Sequence, residues 1–162
     1  MKYLILSIFL ISLSCNKEKY CCDARSTGIG IFVVDSLGND LLNTEIHGAI
    51  NTYEIKLMYL IDGNVQTVYN SNMDCPSFVC YHNEHPEGGI IYIFPNEVES
   101  EEYPITYIDW GNGDIDTLKC HFIRNDDGRS SSIVCDKVWF NNILEFPDNA
   151  IHGFDRAFKI VK

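Results

Sequence analysis

The chain has 162 residues, 46% of them hydrophobic, and carries 23 acidic against 12 basic side chains for a formal net charge of −11 at pH 7. That balance excludes a nucleic-acid partner, because binding to phosphates needs clustered Lys and Arg and this surface would repel the backbone. The length suits one globular domain with an ordinary core, and the chain has seven cysteines.

In chain order, the first feature is Lys2 followed by an apolar run from Tyr3 to Leu13. The run is shorter than the roughly 20 residues that cross a bilayer, so it predicts a cleaved export signal. Ser14-Cys15 then resembles the lipobox of bacterial lipoproteins, with Ser12 and Leu13 in a relaxed order found among Bacteroidetes-type lipoproteins. The resemblance implies that Cys15 is lipidated, and Asn16-Lys17-Glu18-Lys19 after it implies an outer-membrane address, facing the periplasm or the cell surface. An ordinary secretory signal with an unmodified Cys15 is the alternative, and export holds under both. The expected organisation is a signal peptide over 1–14, a lipidated N-terminus and tether over 15–27, and one β domain over 28–162.

Beyond the anchor, alternating and β-branched runs predict strands at Ile29–Asp35, Tyr53–Ile61, Val65–Tyr69, Ile90–Phe94, Ile105–Trp110, Ile115–Arg124, Ile133–Phe140 and Phe158–Val161. Turn signals separate them: Leu37-Gly38-Asn39-Asp40, Asp62-Gly63-Asn64, Gly111-Asn112-Gly113-Asp114, Asp127-Gly128 and Asn141-Asn142, the last turning the chain towards Ile143–Phe146. No long stretch has helical periodicity. Many short strands with regular turns predict an all-β, antiparallel two-sheet sandwich, immunoglobulin-like or transthyretin-like. The acidic run Glu97, Glu99, Glu101 and Glu102 reads as a solvated loop. In a sandwich a strand-borne Trp is core, which is the expectation for Trp139, whereas Trp110, at a strand end, is open.

With Cys15 lipidated, Cys21, Cys22, Cys75, Cys80, Cys120 and Cys135 remain, an even set expected to form disulfides. Folding the chain about a two-residue Asp127-Gly128 turn sets Asp126 opposite Arg129 and Cys120 opposite Cys135, within bridging distance. Cys21 and Cys22 are then expected to bond one each to Cys75 and Cys80, since a Cys75–Cys80 bridge would leave two neighbours to pair with each other or stay free.

The long connection Asn70–Gly89 is the first place to seek function, because long loops in compact domains are often functional. Cys75, Cys80, His82 and His85 are four possible zinc ligands there, set against the bland reading of bridged cysteines and solvated histidines. Glu84 and Glu87 flank His85, a weak acid/base pattern. Asp109, Asn112, Asp114 and Asp116 offer oxygen ligands around a glycine turn, but they fail the EF-hand pattern and read as an Asx-rich turn. No nucleophile elbow, phosphate loop or metalloprotease helix occurs in the sequence.

Val34–Leu42 with Ile55–Asp62, and then Ile108–Thr117 with Val138–Asn142, resemble small Bacteroidetes-type lipoproteins of unknown function. The first segment is also similar to the opening of transthyretin-like domains, and Trp110–Asp114 is distantly similar to a turn of polycystic kidney disease domains. These likenesses imply fold and location and supply no chemistry. The expectation is a lipid-anchored envelope lipoprotein, non-enzymatic and without a cofactor, that binds a protein or glycan through the Asn70–Gly89 loop and neighbouring strand-end loops. The alternatives are a metal-dependent module or hydrolase using Cys75, Cys80, His82 and His85, and a structural subunit of an envelope complex.

Overall fold

The computed structural model describes residues 22–83 and 85–162, with Cys22 described by its backbone alone. Eleven strands form two sheets: β1 Cys22–Ser26, β2 Ile29–Val34, β3 Lys56–Ile61, β4 Asn64–Thr67, β5 Val79–His82, β6 Ile90–Ile93, β7 Ile105–Asp109, β8 Ile115–Asp126, β9 Ser130–Phe140, β10 Ile143–Phe146 and β11 Ala157–Val161. The larger sheet runs β1-β9-β8-β7-β3-β4, with β10 also on β9, and the smaller runs β11-β2-β6-β5. Their inner faces share one core in which Ile31, Leu42, Leu57, Ile91, Ile108 and Phe158 are fully buried. The chain is an all-β sandwich.

The sheets are mixed where the sequence predicted purely antiparallel ones. β1 runs parallel to β9, and β11 runs parallel to β2. Both parallel strands come from the two ends of the described chain, where no hairpin dictates direction. β1 lies inside the stretch expected as tether, so the sheet begins at Cys22 rather than at residue 28.

Hairpin turns follow their chemistry. Asp62 and Gly63 both have positive φ, 50° and 75°, and pair Ile61 with Asn64; Asn141 and Asn142, at 47° and 69°, pair Phe140 with Ile143. Two positive φ values in a two-residue loop match the right-handed twist of the flanking strands, and Asn is among the side chains that tolerate them. The β8–β9 turn departs from expectation. Asp127 Oδ1 accepts the N–H groups of Arg129 and Ser130 at 2.8 and 2.7 Å, which holds Asp127 at the flank and leaves Gly128-Arg129 as the loop. Asp126 therefore faces Ser131, and Cys135 faces Phe122.

Asp136 is the extra residue of a bulge between the pairs His121↔Lys137 and Phe122↔Cys135. The bulge exchanges the inward and outward parity of the rest of β9. Val138 and Phe140 turn into the core, Cys120 faces Val138, and Trp139 turns outward. Cys120 and Cys135 thus do not stand opposite each other. Both are buried free thiols, and Cys120 is pushed well above the ordinary thiol range first by burial and then by its hydrogen bond with Cys135. The expected Cys120–Cys135 bridge is corrected accordingly.

Candidate functional site

The Asn70–Gly89 connection is not a loop throughout, because Val79–His82 forms β5 at the edge of the smaller sheet. Short turns fold the part before it. Asn70 N–H reaches the Pro76 carbonyl at 2.8 Å, and Phe78 N–H reaches the Cys75 carbonyl at 2.9 Å. Phe78 has φ +61°, a costly value for an aromatic residue, and its ring packs edge-on against Tyr59 with centroids 6.2 Å apart. Cys75 and Cys80 are disulfide-bonded across this tight segment, with Cα atoms 5.4 Å apart.

That bond corrects two expectations. The sulfurs of Cys75 and Cys80 are joined to each other and are not shared with Cys21 or Cys22; Cys21, like Cys15 and Glu84, lies outside the described residues. Nor are those sulfurs available to a metal. His82 packs edge-on against Tyr92, at 5.5 Å, whereas His85 packs on Phe154 at 4.2 Å and Phe32 at 5.8 Å. Among the described residues, no three His, Cys, Asp or Glu side chains are grouped to hold a metal ion. The zinc set of Cys75, Cys80, His82 and His85 is corrected accordingly, because both of its sulfur ligands are spent in the disulfide.

The segment lines a cleft of about 500 Å³ together with Thr52, Tyr53 and Tyr69. Tyr53 is 97% exposed and Tyr69 70%, while Tyr81 is at 37%. Asn51 Oδ1 accepts the Tyr53 N–H at 3.2 Å, an Asx turn that presents the ring outward. Tyr81 donates its hydroxyl to the Leu42 carbonyl at 3.1 Å, and its pKa is raised by desolvation and then by the charge of Asp40.

Asp40 ties down the far end of the connection. Its Oδ2 accepts the Gly89 N–H at 2.7 Å and its Oδ1 the Leu42 N–H at 2.9 Å. A Cβ on Gly89 would stand 3.0 Å from both Leu42 Cβ and Tyr81 Cε2, so glycine permits this close approach. The connection that supplies β5 is therefore held by the disulfide and, beyond β5, by Asp40, and the cleft offers phenol rings, which supply broad apolar faces and polar tips at low entropy cost.

Other sequence candidates resolve into structural roles. Asp109 Oδ1 accepts the Gly111 N–H at 2.9 Å, and Asn112 Oδ1 accepts the Asp114 N–H at 3.0 Å. Asp116 is buried and accepts Trp110 Nε1–H at 2.7 Å, Asn141 Nδ2–H at 2.6 Å and the Lys162 ammonium, which also bonds Asp114 at 2.5 Å. Lys162 thus takes up two of the four candidate oxygen ligands, and Asp109 and Asn112 are engaged by turn amides. Burial alone would raise the Asp116 pKa, but the bonds from Asn141, Lys162 and Trp110 hold it below the ordinary value.

Trp139 departs from its expected place in the core, and Trp110, whose place the sequence left open, takes one there. Trp110 is in the core at 2% exposure, and Trp139 lies on the outer face beneath the Lys119 ammonium, 4.9 Å from its centroid. Beside it, the bulge residue Asp136 meets His121 Nδ1 at 2.5 Å. A second groove, of about 600 Å³, lies along β1, β8 and β9, where Arg25 pairs with Glu97 at 2.7 Å and Arg124 Nη2–H donates to the Glu97 carbonyl at 2.9 Å. The sequence marks Tyr53 and Tyr69 only as strand ends and Tyr81 not at all; the three line one cleft only through the fold. Protein-family models, curated proteins and solved structures yield no match to this chain.

Proposed function

We propose that this chain is a lipid-anchored lipoprotein of the bacterial outer membrane, held through Cys15, that works as a non-catalytic binding module. The observation that carries the binding reading is the cleft lined by Tyr53, Tyr69 and Tyr81, with the Cys75–Cys80 disulfide in its wall. Large exposed aromatic side chains gathered at one place on a rigid frame are a costly use of surface unless they meet a partner. The anchor reading is carried by Lys2, the short apolar run and Cys15, and export also accounts for an oxidised cysteine pair.

The partner is an envelope protein or glycan. In intact envelopes, palmitate labelling is expected to mark the wild-type chain and to spare Cys15→Ser. Chemical cross-linking followed by recovery of the lipidated chain is expected to yield a defined envelope component that Tyr53→Ala/Tyr69→Ala loses. An unlabelled wild-type chain would overturn the anchor, and unchanged cross-linking by the double variant would overturn the cleft.

A further inference from the structure

We infer that the free edge of β5 is a docking strand for an extended basic peptide segment of a partner, which pairs its main chain with Val79 and Tyr81 beneath the tyrosines of the cleft. This rests on the proposed binding role of that cleft and names the chemistry of its occupant.

The main-chain phase of the smaller sheet carries the argument. In an antiparallel pair, successive residues alternately bond to the neighbouring strand and point away from it. Gly30 donates its N–H to the Arg156 carbonyl at 3.0 Å, so β2 turns Gly30 towards β11 and turns Ile29 and Ile31 towards β6. Ile29 and Ile31 face Ile93 and Ile91, which leaves Ile90, Tyr92 and Phe94 turned towards β5. The Phe94 N–H bond to the Phe78 carbonyl, at 3.0 Å, gives the same phase independently. On β5 the bonded partners are then Cys80, opposite Tyr92, and His82, opposite Ile90. The N–H and C=O groups of Val79 and Tyr81 point to the open side. No strand or backbone bond from a loop among the described residues takes them up.

Sheet edges are ordinarily blunted by charged residues, proline or a cover. Among the other edges, β1 carries Asp23 and Arg25 and β11 carries Lys159, while β4, Asn64–Thr67, is also uncharged but lines none of the clefts described above. Val79-Cys80-Tyr81-His82 carries neither proline nor an acid, Lys or Arg, and all four residues line the cleft. The cleft is of a size that holds ligands, and the disulfide and the pairing of β5 with β6 already order the docking strand, which lowers the cost of binding. Main-chain pairing gives such a complex its affinity, while side-chain contacts select the sequence. Asp74 is the one carboxylate lining the cleft, the whole chain has an excess of acids, and tyrosine faces attract Lys and Arg. Those features select a basic segment.

The test selects a phage-displayed library of random dodecapeptides on the full oxidised chain, with Tyr69→Ala as the counter-selection. Enriched peptides are then synthesised with N-methyl groups on one or the other alternate set of residues. Enriched sequences are expected to be basic. Methylation of one set is expected to weaken binding at least about tenfold, and methylation of the other set to be tolerated. Amide hydrogen exchange at Val79 and Tyr81 is expected to slow on binding, with Cys80 and His82 unchanged. Peptides that need Tyr69 but show neither alternation nor protection would overturn strand docking and leave the cleft as a binding site. Peptides indifferent to Tyr69, or no enrichment at all, would overturn the docking strand, and acidic or neutral consensus sequences would overturn the basic partner.

Discussion

Lys162→Met removes the ammonium that faces the buried carboxylate of Asp116, and its effect follows from the local geometry. The two side chains are 17% and 8% exposed, so the pair is largely withdrawn from water. Deleting one partner of a buried pair costs about 3–5 kcal/mol, because the remaining charge is left uncompensated. Asp116 keeps the Trp110 and Asn141 donors, which sets the expectation at the lower end, about 3 kcal/mol, including the lost contact of the ammonium 4.8 Å above the Trp110 ring. At roughly 2–4 °C per kcal/mol for a domain of this size, Tm falls by about 6–12 °C at pH 7. In the wild type the Asp116 pKa is lowered, so its stabilisation is present above the ordinary value of 3.8 and is lost as pH falls through the lower folded value. In the variant, burial acts against only two neutral donors, so the carboxyl titrates higher and protonation relieves the penalty. Urea unfolding followed by tryptophan fluorescence is therefore expected to show a gap that narrows between about pH 7 and pH 4. The double variant Lys162→Met/Asp116→Asn is expected to recover to within about 1 kcal/mol of the wild type. A single-variant loss under about 1 kcal/mol, or a gap indifferent to pH, would refute the reasoning.

Trp110→Ala is expected to cost about 3–5 kcal/mol in denaturant unfolding, and Trp139→Ala about 1 kcal/mol or less; equal losses would contradict the placement of one inside and the other outside. Replacing Cys75 and Cys80 by Ser is expected to cost about 2 kcal/mol, since the bridge closes a loop with a sequence separation of 5, and reductant is expected to produce the same loss in the wild type. Iodoacetamide at pH 8 is expected to leave Cys120 and Cys135 unmodified in the native chain and to alkylate both after unfolding, as peptide mapping would read. Rapid native labelling would place the thiols outside the core.

The sequence exposed the strands whose alternation is intact and whose turns use Asp-Gly or Asn-Asn, such as β3–β4 and β9–β10. It concealed features that depend on one residue's displacement. Asp127 caps the β8–β9 turn with its side chain, moving the register by two, and the Asp136 bulge then reverses parity along β9. Those two local events account for the misplaced cysteine pair and for Trp139, because a period-2 pattern carries no mark of an inserted residue. β1 and β5 were hidden for another reason. Both are short and polar or mixed, and they are fixed by long-range pairing with β9 and β6. The segment holding the cleft was legible from its length and cysteines, but Tyr53 and Tyr69 come from separate connections and meet only in three dimensions.

A photoreactive residue at position 69, compared with one at position 123 on the exposed face of β8, tests the binding role most directly in intact envelopes of the cell that makes the chain. The account predicts a discrete adduct from position 69, lost when Tyr53 is replaced by Ala, and none from position 123. Equal adducts from both positions, or none from position 69, would contradict it.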